Sequence, residues 1–175
     1  MVLSLFRKTA ASEPVYAVYA AIVAQSRQPR FYADWGVPDT VTGRFDMISL
    51  HLALLFRRLR GETGPARVFS QSVFDLFFKD MDRSLREMGA GDLAVPKKIK
   101  KMGNIFYGLL ASLDVALSGG DVEAVELVLL RNVYGSEASV GSRQLAQYLL
   151  DESAILAAQS AAGIIAGQLD MGEVA

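Results

Sequence analysis

The sequence predicts an all-α fold, a single compact domain of about six or seven helices. Three observations carry that reading. Apolar residues recur three and four apart along almost the whole chain, and no stretch alternates as a strand would. Prolines stand where helices would begin and glycines where they would end. Of the 175 residues, 51% are hydrophobic and 21% charged, enough apolar material for a substantial core and too much for a disordered or collagen-like chain.

The elements follow in order. A first helix runs from about Ser12, a plausible N-cap with Pro14 in the first turn, to about Arg27, and turns Val15, Val18, Tyr19 and Ile22 inward. Pro29 starts one short turn through Phe31 and Tyr32, and Gly36, Pro38 and Gly43 punctuate the loop GVPDTVTG. A third helix, Arg44 to Arg60, aligns Phe45, Ile48, Leu52, Leu55 and Leu59 and stops at Gly61. Gly64-Pro65 opens what reads as the longest helix, to Met88, with the stripe Phe69, Val73, Phe77, Met81, Leu85 and Met88 and a natural left-handed cap at Gly89. Asp75 with Lys79, Asp82 with Arg86 and Arg83 with Glu87 are i,i+4 opposite charges on its solvated side. Pro96 begins a helix to about Leu117, with Ile99, Met102, Phe106, Leu110, Leu113 and Leu117 inward, ended by Ser118-Gly119-Gly120. Asp121 caps Val122 to Tyr134, which is apolar on most sides and so is expected to be central. A final helix starts after Ser139 and continues to about Ile165. The domain is read as residues 12–168, between a flexible N-terminal segment 1–11 and a flexible tail 169–175.

Several function classes drop out. The chain has no cysteine and one histidine, His51, so disulfide scaffolds, thiolate metal sites, Cys nucleophiles and multi-His metal centres are excluded within it. As a general base His51 needs a nucleophile and an orienting carboxylate, but Asp46 lies off its face and no G-x-S-x-G motif occurs. A buried, hydrogen-bonded or interfacial histidine is the favoured reading. Asp75, Asp80 and Asp82 lack the Glu-x-x-His companions of di-metal bundles and read as salt-bridge partners. The loop glycines form neither a Walker nor a dinucleotide pattern. No catalytic residue, metal or cofactor is expected.

No apolar run reaches the roughly 18 to 20 residues that span a bilayer. At the N-terminus MVLSLF precedes Arg7 and Lys8, the reverse of a signal peptide, although Leu3, Leu5 and Phe6 with two cations could touch a membrane surface. A cytoplasmic location, with peripheral contact at the inner face of the cytoplasmic membrane, is the expectation. The net charge of -1 hides a division: residues 1–101 carry 16 basic and 10 acidic residues, a formal +6, and residues 102–175 carry 2 and 9, a formal -7. That fits either a basic half docked on an acidic half or an electropositive contact face. Lys97, Lys98, Lys100 and Lys101 crowd the first turn of a helix, where the helix dipole disfavours cations, with Tyr107 placed for stacking or hydrogen bonding. Either the acidic half balances them or an external anion does: phosphate, RNA or a lipid headgroup. Gly163 and Gly167, four apart among alanines, point to a tightly packed intramolecular helix or a homodimer contact.

Two blocks, residues 31–60 and 73–108, contain in order FY, G-x-PDT-x-x-GRF-D with a later Leu-His, F-x-DMD-x-x-LREMG-x-GD and K-x-x-KM-x-x-x-FYG. Together they resemble the ubiquinol–cytochrome c chaperone family and cover most of residues 15–117. After Gly108 the family often continues with a basic residue, where this chain has Leu109. The resemblance implies a non-enzymatic assembly factor of the cytochrome bc complex whose client is newly made cytochrome b or a related hydrophobic membrane protein. Mitochondrial members act near the ribosomal exit with a small partner protein, and the absence of a presequence suggests a bacterial member. On the matching motifs the candidate partner-binding residues are Phe31, Tyr32, Asp39, Arg44, His51, Asp80, Asp82, Arg86, Lys97, Lys98, Lys100, Lys101 and Tyr107. A holder of such a client needs an apolar groove with charged flanks, and Met47, Leu54, Phe74 and Phe78 are candidates to line it. The alternative is a helical module that binds RNA, the ribosome or anionic lipid without holding a client.

Overall fold

A computed structural model describes residues 11–135 and 139–174. Among them the fold is all-α: six long helices and two of five residues. In chain order these are α1 (Glu13–Ser26), α2 (Pro29–Ala33), α3 (Val41–Leu59), α4 (Pro65–Glu87), α5 (Val95–Gly119), α6 (Val122–Asn132), α7 (Ser142–Ala158) and α8 (Ala161–Ile165). The expectation for residues 1–10, including a membrane contact through Leu3, Leu5 and Phe6, lies outside the described residues.

The central helix is α3, not α6 as expected. Thirteen of its 19 residues are buried, whereas Leu127 on α6 is 63% exposed. The stripe Phe45, Ile48, Leu52, Leu55 and Leu59 meets α1, α4 and α8, in one cluster with Val18, Ile22, Val73, Phe77 and Ile164. Its opposite stripe, Met47, Leu50 and Leu54, meets α2, α5, α6 and α7, in a second cluster with Phe31, Leu113, Leu129 and Leu149. One helix thus separates two cores, because both of its faces are apolar. Leu109, the position after Gly108, is buried in the second core.

Helix ends explain the remaining departures from expectation. α3 begins at Val41 rather than Arg44, because the Thr40 hydroxyl accepts the Gly43 amide at 3.0 Å. Gly43 therefore lies inside the first turn, and a Cβ there would stand 1.9 Å from the Pro38 carbonyl oxygen. α5, with 25 residues, is longer than α4, with 23. Met88 follows the last turn of α4 and is 53% exposed instead of continuing the buried stripe. The expected last helix breaks at Gln159, whose backbone is extended, and Ser160 then caps α8 by accepting the Gly163 amide. Gly167 (φ +95°) follows, where a Cβ would come within 3.1 Å of Pro14, so the Gly163–Gly167 region packs within the chain against α1.

Residues 169–174, read as a flexible tail, carry no helix yet lie along the domain. Leu169, Met171 and Val174 pack on the core beside α7. Glu152 accepts the Gly172 amide at 2.8 Å, and Gln159 bonds both the amide and the carbonyl of Asp170.

Candidate functional site

Between the end of α3 at Leu59 and the start of α4 at Pro65 the chain turns through a short link in which Gly64 adopts a positive φ. α5 packs against both α3 and α4, and a groove of about 770 Å³ opens between the three helices. That lies within the usual range for binding pockets, roughly 300–1,000 Å³. Its floor is Phe56, Phe74, Phe106, Leu110 and Leu113, and its rim carries Arg57, Arg60, Arg67, Gln71, Tyr107 and Asp114. Phe74 and Tyr107 face each other across α4 and α5, their ring centroids 5.8 Å apart, and Phe106 sits edge-on to both. Tyr107 remains 57% exposed, so it presents a polar-tipped aromatic wall to solvent.

The rim is organised by one carboxylate. Asp114 accepts from Arg60 at 2.5 Å, also pairs with Arg57, and Arg57 donates on to the Ser118 hydroxyl at 3.0 Å. The Arg60 and Arg57 guanidiniums hold the Asp114 carboxyl below its ordinary range, against the opposing effect of its partial burial. Among the described residues, these two arginine contacts are the only ion pairs that join the basic 1–101 part to the acidic remainder. The aliphatic stems of the arginines continue the apolar wall up to the charged edge.

The candidate residues from the sequence fall in four places. Tyr107 lies on the groove. Tyr32, Asp39 and Arg44 meet at the α2–α3 turn: Arg44 pairs with Asp39 at 2.7 Å and covers the Tyr32 ring at 5.7 Å, while the Tyr32 hydroxyl donates to the Ser26 carbonyl. Asp80, Asp82 and Arg86 tie down the end of α4. Asp80 accepts from the Tyr19 hydroxyl at 3.0 Å and pairs with Arg83, and Arg86 bridges Asp82 and Asp92. Of the expected i,i+4 pairs, Asp82–Arg86 and Arg83–Glu87 form, but Asp75 accepts from Gln71 instead of Lys79. The four lysines lie exposed at the start of α5, and none forms an ion pair among the described residues.

His51 and Phe31 need correction as surfaces for a partner. Both are 0% exposed. The His51 Nδ1 lies 2.7 Å from the Met47 carbonyl, which can only accept, so Nδ1 carries the proton and Nε2 accepts from the Tyr148 hydroxyl at 2.9 Å. Gln25 in turn donates to the Tyr148 hydroxyl and to the Gly172 carbonyl. Burial pushes the His51 pKa down to about 4, so the ring is neutral and joins α1, α3, α7 and the C-terminal segment. Phe31 packs edge-on to this ring, Trp35 and Tyr148. Met47 and Leu54, expected to line a client groove, are closed into the core for the same reason, whereas Phe74 does line one.

Sequence reasoning missed Phe56, Arg57, Arg60, Arg67 and Asp114. The FRRLR run at the end of α3 was the available signal, but its partner Asp114 stands 54 to 57 residues away. Among the described residues, no cluster of three or more His, Cys, Asp or Glu could hold a metal, and no helix is long and apolar enough to cross a membrane.

The fold and groove define an all-α domain with an open apolar groove between α3, α4 and α5. The model of the ubiquinol-cytochrome C chaperone family matches residues 33–171, and the chain belongs to that family. The crystal structure of the Cbp3 homolog from Brucella abortus is similar to it throughout, with a TM-score of 0.85 and 40% identity over 92% of this chain and 90% of that one. No curated protein matches.

Proposed function

We propose that the protein is an assembly chaperone of the cytochrome bc complex that holds a hydrophobic membrane-protein client, cytochrome b, through noncovalent contacts in the α3–α4–α5 groove. Family membership supports the assembly role. The observation that carries the site is the apolar floor of half-buried Phe56 and Phe74, backed by buried Phe106, beneath an arginine rim. An unassembled membrane segment exposes apolar side chains that water disfavours, and a groove of this size accepts the anchors of one helical face. Phenylalanine and leucine floors tolerate different client side chains, whereas the Arg57–Asp114–Arg60 cluster keeps the rim soluble when the groove is empty.

Placing a carboxylate on the exposed wall tests this without disturbing the core, through Tyr107→Glu and Ala111→Glu, both at exposed positions. The variants should keep native helicity and melting temperature, yet leave cells with assembled cytochrome bc complex and haem b as low as when the gene is deleted. Normal complex levels in the double variant would remove the groove from the mechanism. Normal levels in the deletion strain would remove the assembly role itself.

A further inference from the structure

The α4–α5 corner is a second surface that the client groove does not use. We propose that it docks the protein on an anionic lipid surface. The corner spans the end of α4, the turn 88–94 and the start of α5, and its acids are already committed. Asp80 and Glu87 pair with Arg83, and Asp82 and Asp92 pair with Arg86. Residues 79–101 hold Lys79, Arg83, Arg86, Lys97, Lys98, Lys100 and Lys101 against Asp80, Asp82, Glu87 and Asp92, seven against four, a formal +3. The excess sits in the exposed lysines of α5, none of which has an ion-pair partner among the described residues.

Apolar side chains accompany this charge. Leu93 is 89% exposed and Met88 is 53% exposed. The Val95 amide bonds the Gly91 carbonyl, and Lys98 bonds Ala94, so the turn runs into α5 with helical spacing. Leu93 therefore lies four residues from Lys97 and seven from Lys100, on the same face. Val95, by contrast, is fully buried and fixes that face outward. Leu93 projecting beside Lys97 and Lys100, with Met88 exposed in the same turn, fits the boundary between headgroups and acyl chains, where both kinds of group gain. An RNA backbone would satisfy the lysines but leave Leu93 and Met88 in water, which favours the lipid surface.

Co-sedimentation of the full chain with vesicles tests this apart from any cytochrome b client, so its failure leaves the groove reading intact. Binding is expected to mixed phosphatidylcholine–phosphatidylglycerol vesicles and not to phosphatidylcholine alone, and it should collapse at ~0.5 M salt. Each lysine contributes about fivefold to partitioning at an anionic surface. Replacing Lys97, Lys98, Lys100 and Lys101 by Gln should therefore weaken binding by at least about a hundredfold. Leu93→Gln with Met88→Gln, which leaves the charge untouched, should weaken it by about tenfold. Three results would overturn the proposal. One is no binding to the anionic vesicles at low salt. Another is binding lost only on changing Arg7 and Lys8 to Gln. The last is binding of a single-stranded RNA that the lysine replacement abolishes while vesicle binding stays unchanged.

Discussion

His51 and Asp46 lie five residues apart on α3, both buried, and their protonation pulls stability in opposite directions. His51 is neutral in the fold with its pKa lowered to about 4 by burial, against 6.5 when exposed. Below pH 6.5 the unfolded chain binds the proton more readily, so stability falls as the pH drops from about 6.5 to about 4. Asp46 is the reverse case. Burial raises its pKa from 3.8 to about 7, and its carboxyl has no hydrogen-bond partner among the described residues. The folded state keeps that proton longer, so stability falls as the pH rises from about 4 to about 7 and stays reduced above it. Burial raises Glu152 in the same sense as Asp46. The slopes oppose each other through the mildly acid range, and the wild-type stability should be nearly flat there. Asp46→Asn should be about 1–3 kcal/mol more stable than wild type at pH 8 and should uncover the histidine slope, a stability that rises with pH up to 6.5. Urea titrations across this range check both points, and an unchanged profile in the variant would contradict the assignment. Tyr148→Phe removes the donor to His51 Nε2 and the acceptor for Gln25, and should cost about 1–3 kcal/mol.

Two glycines decide how elements meet. Gly43 lets the PDT turn close on the first turn of α3, and Gly141 lets the start of α7 press on Trp35, where a Cβ would stand 2.0 Å from the Trp35 Cα. Backbone cannot yield by that distance as a side chain can. Gly43→Ala and Gly141→Ala should each destabilise by about 2–4 kcal/mol in thermal melts, while Gly91→Ala, with open space around it, should be nearly neutral. Spacing and punctuation made most helices legible, including the starts at Pro14, Pro29 and Pro65 and the stops at Gly61 and Gly120. They misplaced the start of α3, because the Thr40 cap acts through a side-chain oxygen that a Gly-rich loop reading overlooks. They also ran α7 into α8, because alanines on both sides of Gln159 keep helical spacing through a break where Gln159 is held by Asp170, beyond the helix, and by Arg58, far away in sequence.

At the scale of the whole fold, residues 169–174 are built into the domain. Gln25, Glu152 and Gln159 all bond residues 170–172, and Leu169, Met171 and Val174 cover apolar surface beside α7. Deleting residues 169–175 should lower the melting temperature by several degrees, because Glu152 is left as a buried acid without its amide donor. An unchanged melting temperature would return these residues to the status of a loose tail. Charge works at the same scale. The division into +6 and -7 fitted either one half docked on the other or an electropositive contact face; among the described residues only Asp114 forms ion pairs across to the basic part, and the α5 lysines form none.

By itself the sequence determined the helical class, the family motifs, the stripes that face inward and the positions where chain direction changes, because these depend on residues within a few turns of one another. Only the tertiary structure decided that α3 is the helix with two buried faces. It also decided that His51 and Phe31 lie inside, and that Phe56, Phe74, Phe106, Tyr107 and Asp114 share one groove. Those facts depend on which apolar face finds a partner and which is left open, and helices far apart in the chain settle that together when they pack.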